Sequence, residues 1–305
     1  MMVDCLIVGG GIAGLQAAIQ LGRYKHNVLV VDSASGRSTL CRSYHNLLGW
    51  PEGVSGPDLR RIGRSQAERL GVRFIEDEVV GIKRDGGGFA IELKRDPDVR
   101  YWGRLLLLAT GIMDSFPPLP GLVTCLGQSI YVCPDCDGYE IRGQKTAVLG
   151  SGNTGAKMAL TLYYWTDDLI YINHGQKSID GDLIDQLSER NIQVIRQEIA
   201  GIDSDGEGNL QGIRLSGGAA VKVSKGFIAF GGNRVKTELA EQLGIERLEN
   251  RHIVTDPRTK MTSVRHVWAA GDIGVHSEQL AIAMGEGSQA AIWMHKTLME
   301  ADNNG

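Results

Sequence analysis

An α/β protein that uses one supersecondary unit twice is the fold class the sequence predicts, and three observations carry it. A glycine turn stands between an apolar strand and a helix near residues 9–14, and a second does so near 150–155. The length of 305 residues fits about two domains. Glycine is abundant, 41 residues without a period, and many stand at strand-to-helix joints where a backbone must turn tightly or approach a ligand.

Val3 to Val8 reads as a buried strand, Ile12 to Tyr24 as the helix after the turn, and Val28 to Asp32 as the strand that completes a βαβ unit. Ser55 to Leu70 reads as a helix, with Ser55 as N-cap and Pro57 in the first turn. Residues 72–108 read as several strands, ending in the apolar run Leu105 to Leu108 before Ala109-Thr110-Gly111. Phe116-Pro-Pro-Leu-Pro-Gly121 is a composition break and reads as a linker. Lys145 to Leu149 opens the second unit, followed by a helix over 153–164 and a strand from Leu169 to Ile172. Residues 192–229 read as a strand-rich meander. Val267 to Ala270, Gly271-Asp272 and a helix from about Ser277 to Leu298 close the chain.

Composition narrows the function classes. Hydrophobic residues at 42% and charged residues at 22% are the mix of a soluble globular protein with enough apolar side chain for two cores. With 32 basic against 36 acidic residues and no basic block, no nucleic-acid role is expected. No apolar run approaches the roughly 20 residues that span a bilayer, so no membrane role is expected. The opening Met-Met-Val-Asp-Cys5 lacks a charged n-region, and no secretory signal is expected. Five cysteines, only two of them closely spaced, do not make an extracellular disulfide framework, so a cytoplasmic setting is expected.

The turn Gly9-x-Gly11-x-x-Gly14 has the chemistry of a dinucleotide site. One glycine permits the turn, the next lets backbone N–H groups approach a pyrophosphate, and the third lets helix and strand pack closely. The helix N-terminus adds partial positive charge, and Asp32 can accept hydrogen bonds from a ribose. Its duplication implies two nucleotides, or one nucleotide and a degenerate second site.

Cys133-Pro-Asp-Cys136-Asp137-Gly138 is the chemical centre. Two thiols three positions apart can close a small disulfide ring, and a helix start there depresses a thiol pKa. Asp137 can pass a proton to or from a thiolate, or else face bulk solvent. Zinc needs four ligands, and only the isolated Cys125 and His174 are available beside the pair. A reduced structural pair is the other alternative. Cys5 and Cys41 read as core or near-core cysteines.

On these residues the chain resembles the low-molecular-weight thioredoxin reductases over essentially its full length. The matching stretches are Gly9 to Gly14, Asn46-Leu-Leu-Gly-Trp-Pro-Glu-Gly-Val-Ser-Gly-Pro57, Ala109-Thr-Gly111, Cys133 to Gly138, and Ala269-Ala-Gly-Asp-Ile273 with Gln279-Leu-Ala-Ile-Ala-Met-Gly285. The run from Cys133 to Glu140 is also similar to deeply branching cyanobacterial thioredoxin reductases and to flavin-dependent dithiol oxidases. The resemblance implies two Rossmann-like three-layer (β/β/α) nucleotide-binding domains, one inserted in the other. The FAD domain would be discontinuous, 1–115 and 235–305, with 116–234 as the inserted, pyridine-nucleotide-like domain. FAD would lie on Gly9, Gly11 and Gly14, with Asp32 at its ribose and Ala109, Thr110 and Gly111 beside it. Asn46 would contact the flavin, Gly271 and Asp272 the ribityl and phosphate groups, and Gln279 the isoalloxazine end. The resemblance further implies a homodimer in which Cys136 faces the flavin, Cys133 attacks a partner disulfide such as that of thioredoxin, and Asp137 is the acid or base.

The second turn departs from the family. Gly150-Ser-Gly152-Asn-Thr-Gly155 keeps a usable pattern. Where thioredoxin reductases carry paired arginines for the 2′-phosphate of NADPH, this chain has His174-Gly-Gln-Lys177-Ser-Ile-Asp180. The acidic residues of the following helix are replaced by Gly155, Ala156, Lys157 and Met158. Each charge-assisted phosphate contact is worth about 1.5–3 kcal/mol, so NADPH is expected to be a poor donor. Lys177 reads as a solvated side chain, and Tyr163, Tyr164 and Trp165 read as packing. A disulfide reductase fed by another donor, such as a ferredoxin-type protein, is the first expectation. A dithiol oxidase using oxygen and a non-catalytic redox-sensing flavoprotein are the alternatives.

Overall fold

The computed structural model describes residues 2–275 and 277–303. The chain forms two compact units, Met1–Thr39 with Gly56–Met113 and Arg234–Gly305, and Leu40–Ser55 with Asp114–Asn233.

In the first unit the sheet order is Arg73–Glu76, Val28–Asp32, Met2–Val8, Arg100–Leu108, Gly88–Leu93, Val79–Asp85. The first four strands are parallel and the last two are joined antiparallel. The strand Arg100–Leu108 forks: Arg100 to Gly103 pairs with Gly88–Leu93, while Leu106 to Leu108 pairs in parallel with Val267–Ala269. That fork explains the run Leu105 to Leu108. Leu105 and Leu107 pack among the helices Ile12–Arg23 and Leu280–Asn303, and Leu106 and Leu108 pack under Phe89 and Ile91 of the antiparallel strands. A strand covered on both faces has no polar face to show. The architecture is helices, parallel sheet and antiparallel layer, the three-layer α/β class.

The second unit repeats it. A five-stranded parallel sheet runs Gln193–Ile195, Leu169–Asn173, Thr146–Gly150, Lys225–Ala229, Ile130–Tyr131. Ala147, Leu149, Ile170 and Ile172 face the antiparallel ribbon Ile199–Ser204, Leu210–Leu215 and Ala220–Val221. Val148, Tyr171 and Phe227 face the layer that holds the helices Gly152–Leu162 and Gly181–Glu189.

Four details differ from the sequence expectation. The helix Gly181–Glu189 stands where no element was expected; it is nine residues long and only Leu187 on it is fully covered. The stretch 192–229 is not one meander, because its two ends, Gln193–Ile195 and Lys225–Ala229, join the parallel sheet. The segment 116–121 is packed rather than free: Leu119 is buried, the Ile202 N–H donates to the Pro120 carbonyl, and a Cβ on Gly121 would strike the Ile202 carbonyl. Residues 40–55 cluster with the second unit, where Gly127 lies so close that a Cβ would fall 2.6 Å from the Arg42 nitrogen.

The final helix meets the first at a glycine. A Cβ on Gly287 would collide with the Ala13 carbonyl, and one on Gly271 would lie 2.9 Å from the Ala13 Cβ. Gly287→Ala is therefore expected to destabilise the protein by about 1–3 kcal/mol in urea unfolding. Gly285→Ala on the same helix has nothing within 4 Å of the new carbon and should stabilise by up to about 1 kcal/mol.

Candidate functional site

Two constellations lie at strand ends of the first and second units. In the first, Met2–Val8 ends at the turn and Ile12–Arg23 starts with Gly11 as N-cap. The three glycines divide the labour. Gly9 has φ +107° and a Cβ there would strike the Ala109 carbonyl, while a Cβ on Gly14 would strike the Gly9 carbonyl. Gly11 has nothing within 4 Å, which leaves the space over the helix N-terminus open. Ala109 donates its N–H to the Val8 carbonyl at 2.8 Å, and Thr110 Oγ1 to the Lys236 carbonyl at 2.6 Å. Gly111, at φ +66°, accepts from the Lys236 N–H at 3.0 Å.

Gly271 is buried, and its N–H donates to Glu286 Oε2 at 3.0 Å; Glu286 Oε1 is paired with Lys260 Nζ at 2.9 Å. Asp272 is 3.5 Å from Arg37 Nη1, which also holds Glu278 at 2.6 Å. Gln279 stands just before the final helix and accepts the Ala283 N–H at 2.9 Å. Asp32 closes its strand and binds Arg60 Nη2 at 2.5 Å. Asn46 lies on the segment that clusters with the second unit. Arg37, Arg60, Lys236 and Glu286 were not singled out in the sequence, since they are joined to the glycine turn by no spacing rule. Open space at Gly11, a helix N-terminus and guanidinium groups beside two acids fit a dinucleotide pyrophosphate and its ribose.

In the second unit Cys133 is the N-cap of the short helix Pro134–Asp137, with Pro at its start. The N–H groups of Cys136 and Asp137 both donate to the Cys133 carbonyl, at 3.2 and 3.0 Å. Both cysteines are partly buried thiols. A hydrogen bond with Cys136 holds the Cys133 thiol below its ordinary pKa, against the opposing effect of burial. Burial, then the Glu140 charge, pushes the Asp137 carboxyl up to about 7, opposed by Lys225. Lys225 Nζ donates to Tyr131 Oη at 2.9 Å, and that hydroxyl donates to the Gln128 carbonyl at 2.7 Å. Gly138 is covered by Trp165, whose indole would lie 2.6 Å from an added Cβ. Trp165 thus packs as expected, while Tyr164 is exposed. Cys5 and Cys125 are core thiols; Cys41 is half-buried near Asp137, and burial pushes its thiol up to about 12. Among the described residues no cluster of three or more His, Cys, Asp or Glu is placed to hold a metal. His174 Nδ1 instead accepts the Ile199 N–H at 2.8 Å.

The second glycine turn is bound by its own chain. The strand after it ends on Asn173, fully buried, whose Oδ1 accepts the Gly152 N–H at 3.0 Å while its Nδ2 donates to the Lys177 carbonyl at 2.7 Å. Asn153 and Asp180 exchange two bonds, side chain to carboxylate at 2.7 Å and Asp180 N–H to Asn153 Oδ1 at 2.9 Å. Tyr171 lies beneath Gly155 and donates to the Gly152 carbonyl at 2.8 Å. A carboxylate and two amide side chains stand around the loop where a phosphate needs donors. Lys177 is exposed, as expected.

The chain belongs to the pyridine nucleotide-disulphide oxidoreductase family, whose model matches residues 3–287. Within it the chain is a divergent thioredoxin reductase-like oxidoreductase. It is 32% identical to a thioredoxin reductase, tcpT, of Claviceps purpurea, over 100% of this chain and 96% of that one. It is 26% identical to a thioredoxin reductase of Coxiella burnetii, over 94% and 93%. Among solved structures HlmI is similar, with a TM-score of 0.87 and 30% identity over 99% of this chain and 94% of that one. No helix among the described residues is long and apolar enough to cross a membrane.

The Asp137 carboxyl binds its proton more tightly in the folded chain than in the unfolded one. Folding stability from this group is therefore full below the ordinary carboxylate range and is lost as pH rises to about 7. Asp137→Asn should remove that slope, leaving the variant more stable than wild type at pH 8 by on the order of 3 kcal/mol. Urea unfolding of both proteins at pH 5 and pH 8 measures the difference.

Proposed function

We propose that the chain is a FAD-dependent disulfide oxidoreductase that passes electrons through Cys133 and Cys136 to a protein disulfide of the thioredoxin type. One observation carries the reading. A thiol held below its ordinary pKa stands within two turns of a carboxyl held near neutrality, and thiol–disulfide exchange needs both.

Gly9, Gly11, Gly14, Asp32, Asn46, Ala109 to Gly111, Gly271, Asp272 and Gln279 are the residues assigned to FAD, with Arg37 and Arg60 added to them. When bound, the flavin supplies the two electrons that return the cysteine pair to the dithiol. Cys133 as thiolate attacks the partner disulfide, forming a mixed disulfide and releasing one partner sulfur. Cys136 then attacks the Cys133 sulfur, closing the Cys133–Cys136 disulfide and releasing the second. Asp137 takes a proton from the attacking thiol and returns one to the departing sulfur, which suits a group titrating near 7. The homodimer rests on family resemblance.

The electron donor is assigned away from NADPH. Asn173, not a carboxylate, stands at the strand end and is turned onto the Gly152 N–H, and Asp180 adds negative charge beside the loop where a phosphate would lie. A ferredoxin-type donor fits the same features. Anaerobic flavin spectra with NADPH, NADH and reduced ferredoxin test this: micromolar NADPH should leave the flavin oxidised, and rapid bleaching by it would overturn the assignment. Cys136→Ser should retain bound flavin and lose disulfide turnover by at least about a thousandfold. Thiol-dependent oxygen uptake exceeding disulfide reduction would favour the dithiol oxidase instead.

A further inference from the structure

Reducing the Cys133–Cys136 disulfide consumes two electrons and two protons and yields two thiols; the reverse reaction releases them. A partly buried pair can exchange protons with water at speed only through ionisable groups that reach the surface. A line of such groups runs outward from Asp137. Glu140 stands one helical turn beyond Cys136 and acts on the Asp137 carboxyl through its charge. Glu140 Oε1 lies 3.3 Å from His45 Nδ1, and His45 Nε2 lies 3.0 Å from Ser43 Oγ. Along this line the side chains open to water, Glu140 at 26% and His45 at 42% exposure.

The imidazole is held rather than draped. Tyr44 and Val54 exchange backbone bonds at 2.8 and 3.2 Å, which closes the loop around His45. Gly53, at φ +78°, lies against the ring, and a Cβ there would fall 2.7 Å from His45 Cδ2. A neutral imidazole that donates from Nδ1 to the Glu140 carboxylate accepts from Ser43 at Nε2, so the ring can take a proton at one nitrogen and give one at the other.

We propose that Glu140 and His45 form a proton-relay arm that connects Asp137 with solvent during dithiol–disulfide interconversion. The proposal rests on Cys133 and Cys136 being the redox pair. Glu140 and His45 act through Asp137 and touch no reacting sulfur, so they are positioning residues. Lys225 opposes Glu140 at the Asp137 carboxyl; the other titratable groups that act on this cluster are Cys133, Cys41, Tyr131 and Asp135. Of these Asp135 is exposed and acts on Cys133.

The test is the anaerobic rate at which dithiothreitol bleaches the flavin of the full holoenzyme, across pH 6 to 9. Dithiothreitol opens the Cys133–Cys136 disulfide, becoming oxidised, and the resulting dithiol passes two electrons to the flavin and releases its protons. His45→Ala should slow bleaching by about tenfold, flatten the pH profile and regain most of the rate with added imidazole. Glu140→Gln should show the same loss without rescue, because the arm is then cut inside the imidazole. A wild-type rate and profile in either variant, or a slow His45→Ala that imidazole does not restore, would overturn the relay. Cys136→Ser separates the two readings: if it still bleaches, the redox pair is wrong, and if it is inert while His45→Ala behaves as wild type, only the relay is wrong.

Discussion

The contact of Gly287 with the backbone of Ala13 is the constraint on which the first unit depends. Nothing larger than hydrogen fits between the final helix and the first one at that point. The contact accompanies a second one, Gly271 against Ala13, some 260 residues along the chain from the first glycine turn. The same economy of atoms recurs at Gly9, Gly14 and Ala109, where backbones meet with no side chain larger than a methyl. Glu286 extends the arrangement by tying the Gly271 N–H to Lys260 inside the core, a buried charge tolerated because both of its oxygens are bonded.

The second constraint is electrostatic and belongs to the cysteine pair. Asp137 is adjacent to Cys136 in sequence, but adjacency does not set a pKa. Its proton affinity comes from burial first and from Glu140 second, with Lys225 pulling the other way. Lys225 is itself held by Tyr131 and weakened as a cation by burial, so its opposition is partial. Gly138 permits this compactness, since the Trp165 ring occupies the volume of its missing side chain.

The second glycine turn is held by hydrogen bonds within its own chain. Strand, turn and helix are all present, the Gly152 N–H is met by Asn173, and Asn153 and Asp180 are bonded to each other.

The repeated unit, both glycine turns, the cysteine pair and the family were legible in the sequence, because each depends on local spacing or on the period of apolar residues. The strand–turn–helix units were readable for that reason, and so was the burial of Leu105 to Leu108. The partners that tune those motifs were not legible. Arg37, His45, Lys225 and Asn173 reach their sites from other strands and loops, and no period or spacing connects His45 with Glu140 across 95 positions. The short helix Gly181–Glu189 escaped because a single fully buried residue leaves little periodic signal. The packed segment 116–121 read as a linker because its prolines resemble one, while the contacts that hold it come from Ile202. The amino-acid sequence by itself determined the chemistry available: two thiols with an acid next to them in the chain, and a glycine-built turn. Only the tertiary structure decided the proton affinity of that acid and the bonding of the second loop, because they depend on burial and on partners such as Lys225 and Asn173 that stand apart in the chain.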